Sequence, residues 1–558
     1  MTFKTKEKMS IKSKHISAAI AIMTAANVSA QMNNVIEVEN EYAPIVADAN
    51  KINVLPDVEE TKVNPGNIEY ATTPQPVRKY IFQPMWAAQS DATVKGAKKG
   101  FAELGYGNYN NLIGRAAYGI DFTTDDQLDI NFDINGFNGT FDNFDQTSEW
   151  KRRFYDTSAG IKYEHRFSHT SSLIVDAHYR NQAFNYQPYS IACDPTDKQV
   201  NRMGGINVGV IPYNFGAFSI GGGLGFEAFS QAHANYASDN CDETIIKAKL
   251  LLGYQLNDDM SIDLGIDVHN AGYTNEDFTD YTSFNIAPHF NLEKEKFSLK
   301  AGLQIYATSG FSSDFYISPD VSFAYMPSKK TKLYVKAEGG AIYNSFLRYN
   351  ATTPYWLNYN QEKNQFDQLR SAVGIKFTPA KGLYFDINGG FDMSKNRMEL
   401  CLSNWTGPIS QAPLYNDIVT SDGSRFHINA DIKYRYKDIF ELSFANRLNF
   451  WSTEGNNYAE EVVLGWRPVI DLDWNAYVRI VEGLRFGLSY QCQSFKEYDD
   501  AYYNRPTTNN LGAELSYTFP FNLTIFVKGD NLLNQDYDHY MYYKAEGINF
   551  IGGAAITF

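Results

Sequence analysis

The side chains able to do chemistry are few and scattered. Four cysteines stand at Cys193, Cys241, Cys401 and Cys492, and none has the CxxC or Cys/His spacing of a metal site. Cys193 and Cys241 fall in two successive long polar connectors, so an exported chain can join them as a disulfide or leave two loop thiols. Cys492 alternates with Leu488 and Tyr490 and is expected on a lipid-facing surface. Serine, histidine and carboxylate residues form no hydrolase motif such as G-x-S-x-G, so neither an enzyme site nor a cofactor or metal is expected. Acidic stretches such as Asp239-Asn240-Cys241-Asp242-Glu243 lack a calcium-loop register and read as solvated charge. One connector gathers Arg348, Tyr349, Tyr355, Trp356 and Tyr359 with Phe346, Phe366 and several asparagines. Aromatic rings beside amides can stack on a sugar or peptide, or on one another to hold a long loop over an opening, and the second use is the better reading.

What must position these loops begins with export. Lys4, Lys6, Lys8, Lys12 and Lys14 precede an apolar run from Ile16 to Ala26, and Val28-Ser29-Ala30 forms a small-residue cleavage site before Gln31. Residues 1–30 are therefore a signal peptide. The whole chain has a formal net charge of −15, and losing those lysines makes the mature form more acidic, which excludes nucleic acid as a main partner. After the signal no run of about 18 apolar residues remains, so helical membrane spans are excluded. The 39 Tyr, 38 Phe and 7 Trp instead suit two aromatic girdles around a barrel. A closed sheet is the other way across lipid, because it leaves no backbone N–H or C=O unpaired in hydrocarbon.

From residue 99 to 558 the chain repeats segments of two-residue alternation. Leu128, Ile130, Phe132 and Ile134 oppose Asp129, Asn131, Asp133 and Asn135; Ile262, Leu264, Ile266 and Val268 oppose Asp263, Gly265, Asp267 and His269. Tight connectors (Thr124-Asp125-Asp126, Asn257-Asp258-Asp259, Ser328-Lys329-Lys330, Lys437-Asp438) take turns with long polar ones, near 136–149, 183–200, 344–368 and 394–424 among others. The fold class is all-β: a transmembrane antiparallel β-barrel of about 22 strands, of outer-membrane type, with roughly 21 residues for each strand and its connector. Both termini then face the periplasm of a Gram-negative cell. Inward positions mix Lys247, Lys249, Lys433 and Arg435 with Asp129, Asp263 and Asp386, which declares no ion preference. In the last strand Phe550, Ile556 and Phe558 point outward around Gly553, an edge that barrel-assembly machinery can pair with during insertion.

Phe526-Val527-Lys528-Gly529-Asp530-Asn531-Leu532-Leu533-Asn534, followed by Tyr537, Gly547, Gly553 and Phe558, resembles the closing strands of TonB-dependent receptors. The resemblance implies a 22-stranded barrel and ligand binding or uptake across the outer membrane. It also implies a folded plug domain ahead of the barrel. Here residues 31–98 hold Pro44, Pro56, Pro65, Pro74, Pro76 and Pro84 and too little apolar alternation for a core, so the plug is expected to be absent and the segment to lie in the periplasm or fill the lumen. Val35, Ile36 and Val38 occupy the place where the family pairs a strand with its energy-transducing partner, although a solvated tail fits the same residues. Without a plug, the competing role is a non-transporting barrel, a subunit or scaffold among outer-membrane or periplasmic partners. Deleting residues 31–90 is expected to raise permeability to bulky antibiotics; unchanged uptake would remove this segment as the lumen filler.

Overall fold

In the computed structural model the described residues are 99–142, 148–168, 171–188, 198–232, 241–356, 361–402, 413–454, 464–497 and 505–558. Val35, Ile36, Val38, Cys193 and Tyr359 lie outside them, as does the side chain of Cys241.

The alternating segments are strands. In order they are β1 (Gly100–Gly107), β2 (Leu112–Asp121), β3 (Asp126–Asp142), β4 (Glu149–Ser168), β5 (Ser171–Phe184), β6 (Gln199–Phe215) and β7 (Phe218–Ala232). Next come β8 (Cys241–Asn257), β9 (Met260–Tyr273), β10 (Tyr281–Glu293), β11 (Phe297–Gly310), β12 (Phe315–Ser328), β13 (Thr331–Ile342) and β14 (Gln365–Phe377). The remainder are β15 (Leu383–Leu402), β16 (Asn416–Tyr436), β17 (Phe440–Glu454), β18 (Ile470–Val481), β19 (Leu484–Ser494), β20 (Thr508–Thr518), β21 (Leu523–Asp530) and β22 (Asn549–Thr557). All 22 form one antiparallel sheet in sequence order. It closes where β1 meets β22, with Phe101 opposite Thr557 and Gly107 opposite Ile551.

The two faces separate as the alternation requires. Leu224 is 67% and Val373 63% exposed, in company with Ile130, Phe132, Ile262 and Phe426. Leaving such side chains in water would forfeit about 1.5–3 kcal/mol each, so this face is built for acyl chains. The inner face carries ion pairs between neighbouring strands, such as Lys247 Nζ to Glu227 at 2.8 Å, Lys300 Nζ to Asp320 at 2.7 Å and Lys376 Nζ to Asp386 at 3.0 Å. Cys492, on a strand whose Leu488 faces outward, has a free thiol, as does the buried Cys401.

Tight turns gather at one rim. Gly216 adopts φ +61° between β6 and β7, where a side chain would be strained, and Thr123 Oγ1 accepts the N–H groups of Asp125 and Asp126 between β2 and β3. The opposite rim carries the long loops, with two corrections. The connectors expected at 136–149 and 394–424 are mostly strand, because β3 runs to Asp142 and β16 starts at Asn416. Strands of up to 21 residues exceed the ~9–11 that cross lipid, and their polar ends stay paired because backbone groups gain from a partner above the bilayer too. The loops at 108–111 and 311–314 are short, so the alternation of short and long connectors is not strict.

Candidate functional site

At the long-loop rim, the connector between β13 and β14 folds over the bore instead of standing outside it. It carries a short helix, α1 (Phe346–Thr352), whose N-cap Ser345 accepts the N–H of Arg348. Wall residues hold this loop from around the ring. Glu243 at the top of β8 accepts the Phe346 N–H at 2.9 Å and the Tyr273 hydroxyl at 3.1 Å. Asn350 donates to Gln182 of β5 at 2.8 Å and accepts from Asn201 of β6 at 2.6 Å. Thr353 Oγ1 donates to Asn416 of β16 at 2.9 Å. From the last loop, Tyr543 stacks on Tyr355 with ring centres 3.5 Å apart, and its hydroxyl donates to the Leu414 carbonyl at 2.7 Å.

The cap has an apolar core of its own. Trp356 is 0% exposed, between Phe229, Phe346 and Tyr349, and Met203, Phe278, Met398 and Ile418 join this cluster from three strands and a loop. A second cluster gathers Trp150, Phe184, Tyr186, Tyr415 and Tyr543 around Tyr355. Of the loop residues singled out in the sequence, Tyr349, Tyr355 and Trp356 are thus buried against one another and the wall, the packing use of the two. Arg348 instead turns sideways, donating to Asn344 and, at 2.7 Å, to Gln365. Burial also pushes the Tyr355 phenol above its ordinary value, so it stays neutral beside Arg152, whose Nε donates to it at 3.3 Å.

Glu243 lies at the loop end of β8, beyond Ile246, the first outward apolar residue of that strand, and burial raises its carboxyl from 4.5 to about 7. The closed cap therefore favours the protonated form: its stabilisation is full below the ordinary value and fades as pH rises through the window from 4.5 to about 7, by about 3 kcal/mol. Tryptophan fluorescence of the purified barrel is expected to report a looser cap at pH 8 than at pH 5. Glu243→Gln should flatten that dependence; an equally pH-sensitive Glu243→Gln variant would refute the assignment.

Beside α1, the wall carries a feature that the sequence does not announce. Register places Arg370, Asp392, Arg425 and Trp451 side by side on β14, β15, β16 and β17, all inward. Arg397 and, from the loop before β18, Arg467 join them: the Arg397, Arg425 and Arg467 guanidiniums lie 5.2, 5.1 and 4.9 Å from the centre of the Trp451 ring. Glu399, 1% exposed on its side chain, takes Arg397 Nε at 2.6 Å and Arg467 Nε at 2.8 Å. Arg425 Nε donates to Asp392 at 2.9 Å. Arg348, Arg370, Asp367 and Ser394 complete a recess of about 190 Å³. Inward parity was the only sequence signal for Arg370 and Arg425; their shared height depends on register across four strands.

Phe558 closes the barrel: its carbonyl accepts the N–H groups of Lys99 and Gly100, at 2.8 and 2.9 Å, and its N–H donates to Gly100 at 3.0 Å. Phe550, Ile556 and Phe558 face outward, and Gly553 faces inward, where a Cβ would strike the Leu104 carbonyl and the Phe526 ring at 2.4 Å. Among the described residues no group of three or more His, Cys, Asp or Glu is placed to hold a metal.

No protein-family model matches this sequence, and no curated protein sequence does. Solved structures do. The FrpB iron transporter of Neisseria meningitidis superposes with a TM-score of 0.62 at 9% identity, covering 83% of this chain and 82% of that one. The ferric enterobactin receptor PfeA of Pseudomonas aeruginosa gives 0.61 at 11% identity, over 83% and 81%. The ferric-catecholate import receptor Fiu of E. coli K12 gives 0.60 at 10% identity, over 83% and 82%. At such identities the likeness is one of fold: an outer-membrane β-barrel of the 22-stranded type of TonB-dependent receptors.

Proposed function

We propose that this receptor-like barrel binds a small solute and takes it up across the outer membrane, with residues 343–356 of the connector between β13 and β14 as its resident gate. The observation that carries the reading is the recess beside the gate helix, which gathers charged side chains, with arginines in excess, around a space of about 190 Å³. The solved receptors and transporters of the same fold support it by analogy. In this reading the short-turn rim and both termini face the periplasm, residues 31–98 form no plug, Val35, Ile36 and Val38 offer a strand to a periplasmic partner, and assembly machinery pairs with the last strand.

A second reading rests on the cap's density: a mouth closed by a core in which Tyr355 and Trp356 are 0% exposed also suits a barrel that serves as a sealed scaffold for partner subunits. Liposomes containing the full mature chain separate the two. Slow release of small trapped solutes above that of empty vesicles, through rare openings of the gate, is expected for uptake. Tight vesicles, together with a stoichiometric partner on gentle extraction, would establish the scaffold instead.

A further inference from the structure

The recess beside α1 has an excess of positive charge. Five guanidiniums, those of Arg348, Arg370, Arg397, Arg425 and Arg467, meet three carboxylates, those of Asp367, Asp392 and Glu399. The pairs are unequal. Arg397 and Arg467 share the buried Glu399 and spend further donors on the carbonyls of Ser424, Ser452 and Met398. Arg425 is held by Asp392, which also faces His427 Nδ1 at 3.5 Å. Among the described residues, Arg348 bonds only to the neutral amides of Asn344 and Gln365. Arg370 reaches Asp367 through Nε at 3.4 Å, and its side chain is 51% exposed; its terminal amino groups meet no acceptor among the described residues. Glu338, next in the row across β13, turns to Lys336 at 3.9 Å.

Bringing five cations together with only three anions costs repulsion and lost hydration, which a structural network avoids by pairing one to one. Guanidinium forks match the planar oxygen pairs of carboxylates and phosphates. The face of Trp451 is already taken by three arginines, so the indole holds the forks in place and is not a stacking platform for a ligand ring. We infer that this recess binds a small anion of about two negative charges through carboxylate or phosphate oxygens, with Arg370 and Arg348 supplying the unsaturated donors. The space of about 190 Å³ admits a compact polycarboxylate or a phosphate and excludes a folded peptide. The inference rests on the uptake reading, for which it names the solute class.

The test is calorimetry on the detergent-solubilised full chain with citrate, inorganic phosphate and, as neutral counterpart, glycerol. Citrate or phosphate is expected to bind; Arg370→Gln and Arg348→Gln should each weaken it about tenfold, and Lys247→Gln, in a lumen pair on another part of the wall, should leave it within about twofold. Arg370 is half exposed, so its loss leaves the barrel folded, which heat-dependent gel migration checks. No heat with either anion at about 10 mM, or binding that both arginine variants leave intact, overturns the inference. Anion binding without solute release from liposomes would keep the site and refute uptake; release of charged and neutral solutes alike without anion binding would do the reverse.

Discussion

Replacing Trp356 with alanine is expected to turn a barrel that opens rarely into one that conducts steadily. The side chain is wholly buried where the gate meets the wall, with Phe346 5.3 Å and Tyr349 5.4 Å away on its own loop and Phe229 5.8 Å away on β7. Truncating a buried tryptophan costs about 3–5 kcal/mol, more than any single hydrogen bond of the cap supplies, at about 1 kcal/mol net each. That loss falls on the gate alone. No ladder of the barrel passes through residue 356, whose one strand-like contact is an isolated bridge to Asn416. Closed and open gates differ by the contacts of one connector, so a loss of this size shifts their ratio by about a hundredfold or more. Planar-bilayer recordings should show openings for Trp356→Ala that are rare in the parent and that Trp356→Phe largely suppresses. A folded Trp356→Ala barrel that stays as quiet as the parent, with residues 31–90 present and with them deleted, would mean that the cap is not the seal. Combined with deletion of residues 31–90, the same recording apportions the closure: current only in the double variant would make both segments barriers.

The barrel was legible because its signal is local. Whether Ile130 faces lipid depends on its own neighbours Asp129 and Asn131, and the same two-residue rule fixes Phe426 or Ile556 without knowledge of any other strand. Strand ends were less legible, since polar stretches such as 394–402 look like loop until their partners on β16 are known. The gate was half legible: the aromatic load of residues 344–368 marked it, but only tertiary structure shows Trp356 meeting Phe229, more than a hundred residues away. The arginine row was not legible at all. Arg370, Asp392, Arg425 and Trp451 come together because four strands share one register, and a shift of one residue in any of them would send its member to the lipid face.

Deleting Phe558 is expected to lower the amount of folded barrel in the outer membrane by about tenfold or more, well beyond what its contacts in the finished protein explain. In the closed barrel that residue contributes three backbone hydrogen bonds to Lys99 and Gly100, about 3 kcal/mol together, and a ring stacked on Tyr118 at 5.9 Å. A sheet of 22 strands distributes its stability over every neighbouring pair, so this loss alone would fray one corner. Assembly is a different matter: before closure β1 and β22 are the two open edges, and an edge must be held by something until its partner arrives. If the outward Phe550, Ile556 and Phe558 form the surface by which insertion machinery takes hold of β22, then removing the last ring acts on every molecule before the barrel exists. Phe558→Tyr should restore levels to within about twofold, since it keeps the ring and the backbone bonds. Gly100→Leu supplies the contrast: a Cβ at residue 100 would lie 2.2 Å from the Phe558 ring, so it disturbs the same seam in the finished barrel while leaving the β22 edge intact. Normal levels of inserted Gly100→Leu with lowered thermal stability, beside depleted levels of the Phe558 deletion, would assign the terminal residue to insertion. Equal depletion of the two would assign it to the seam.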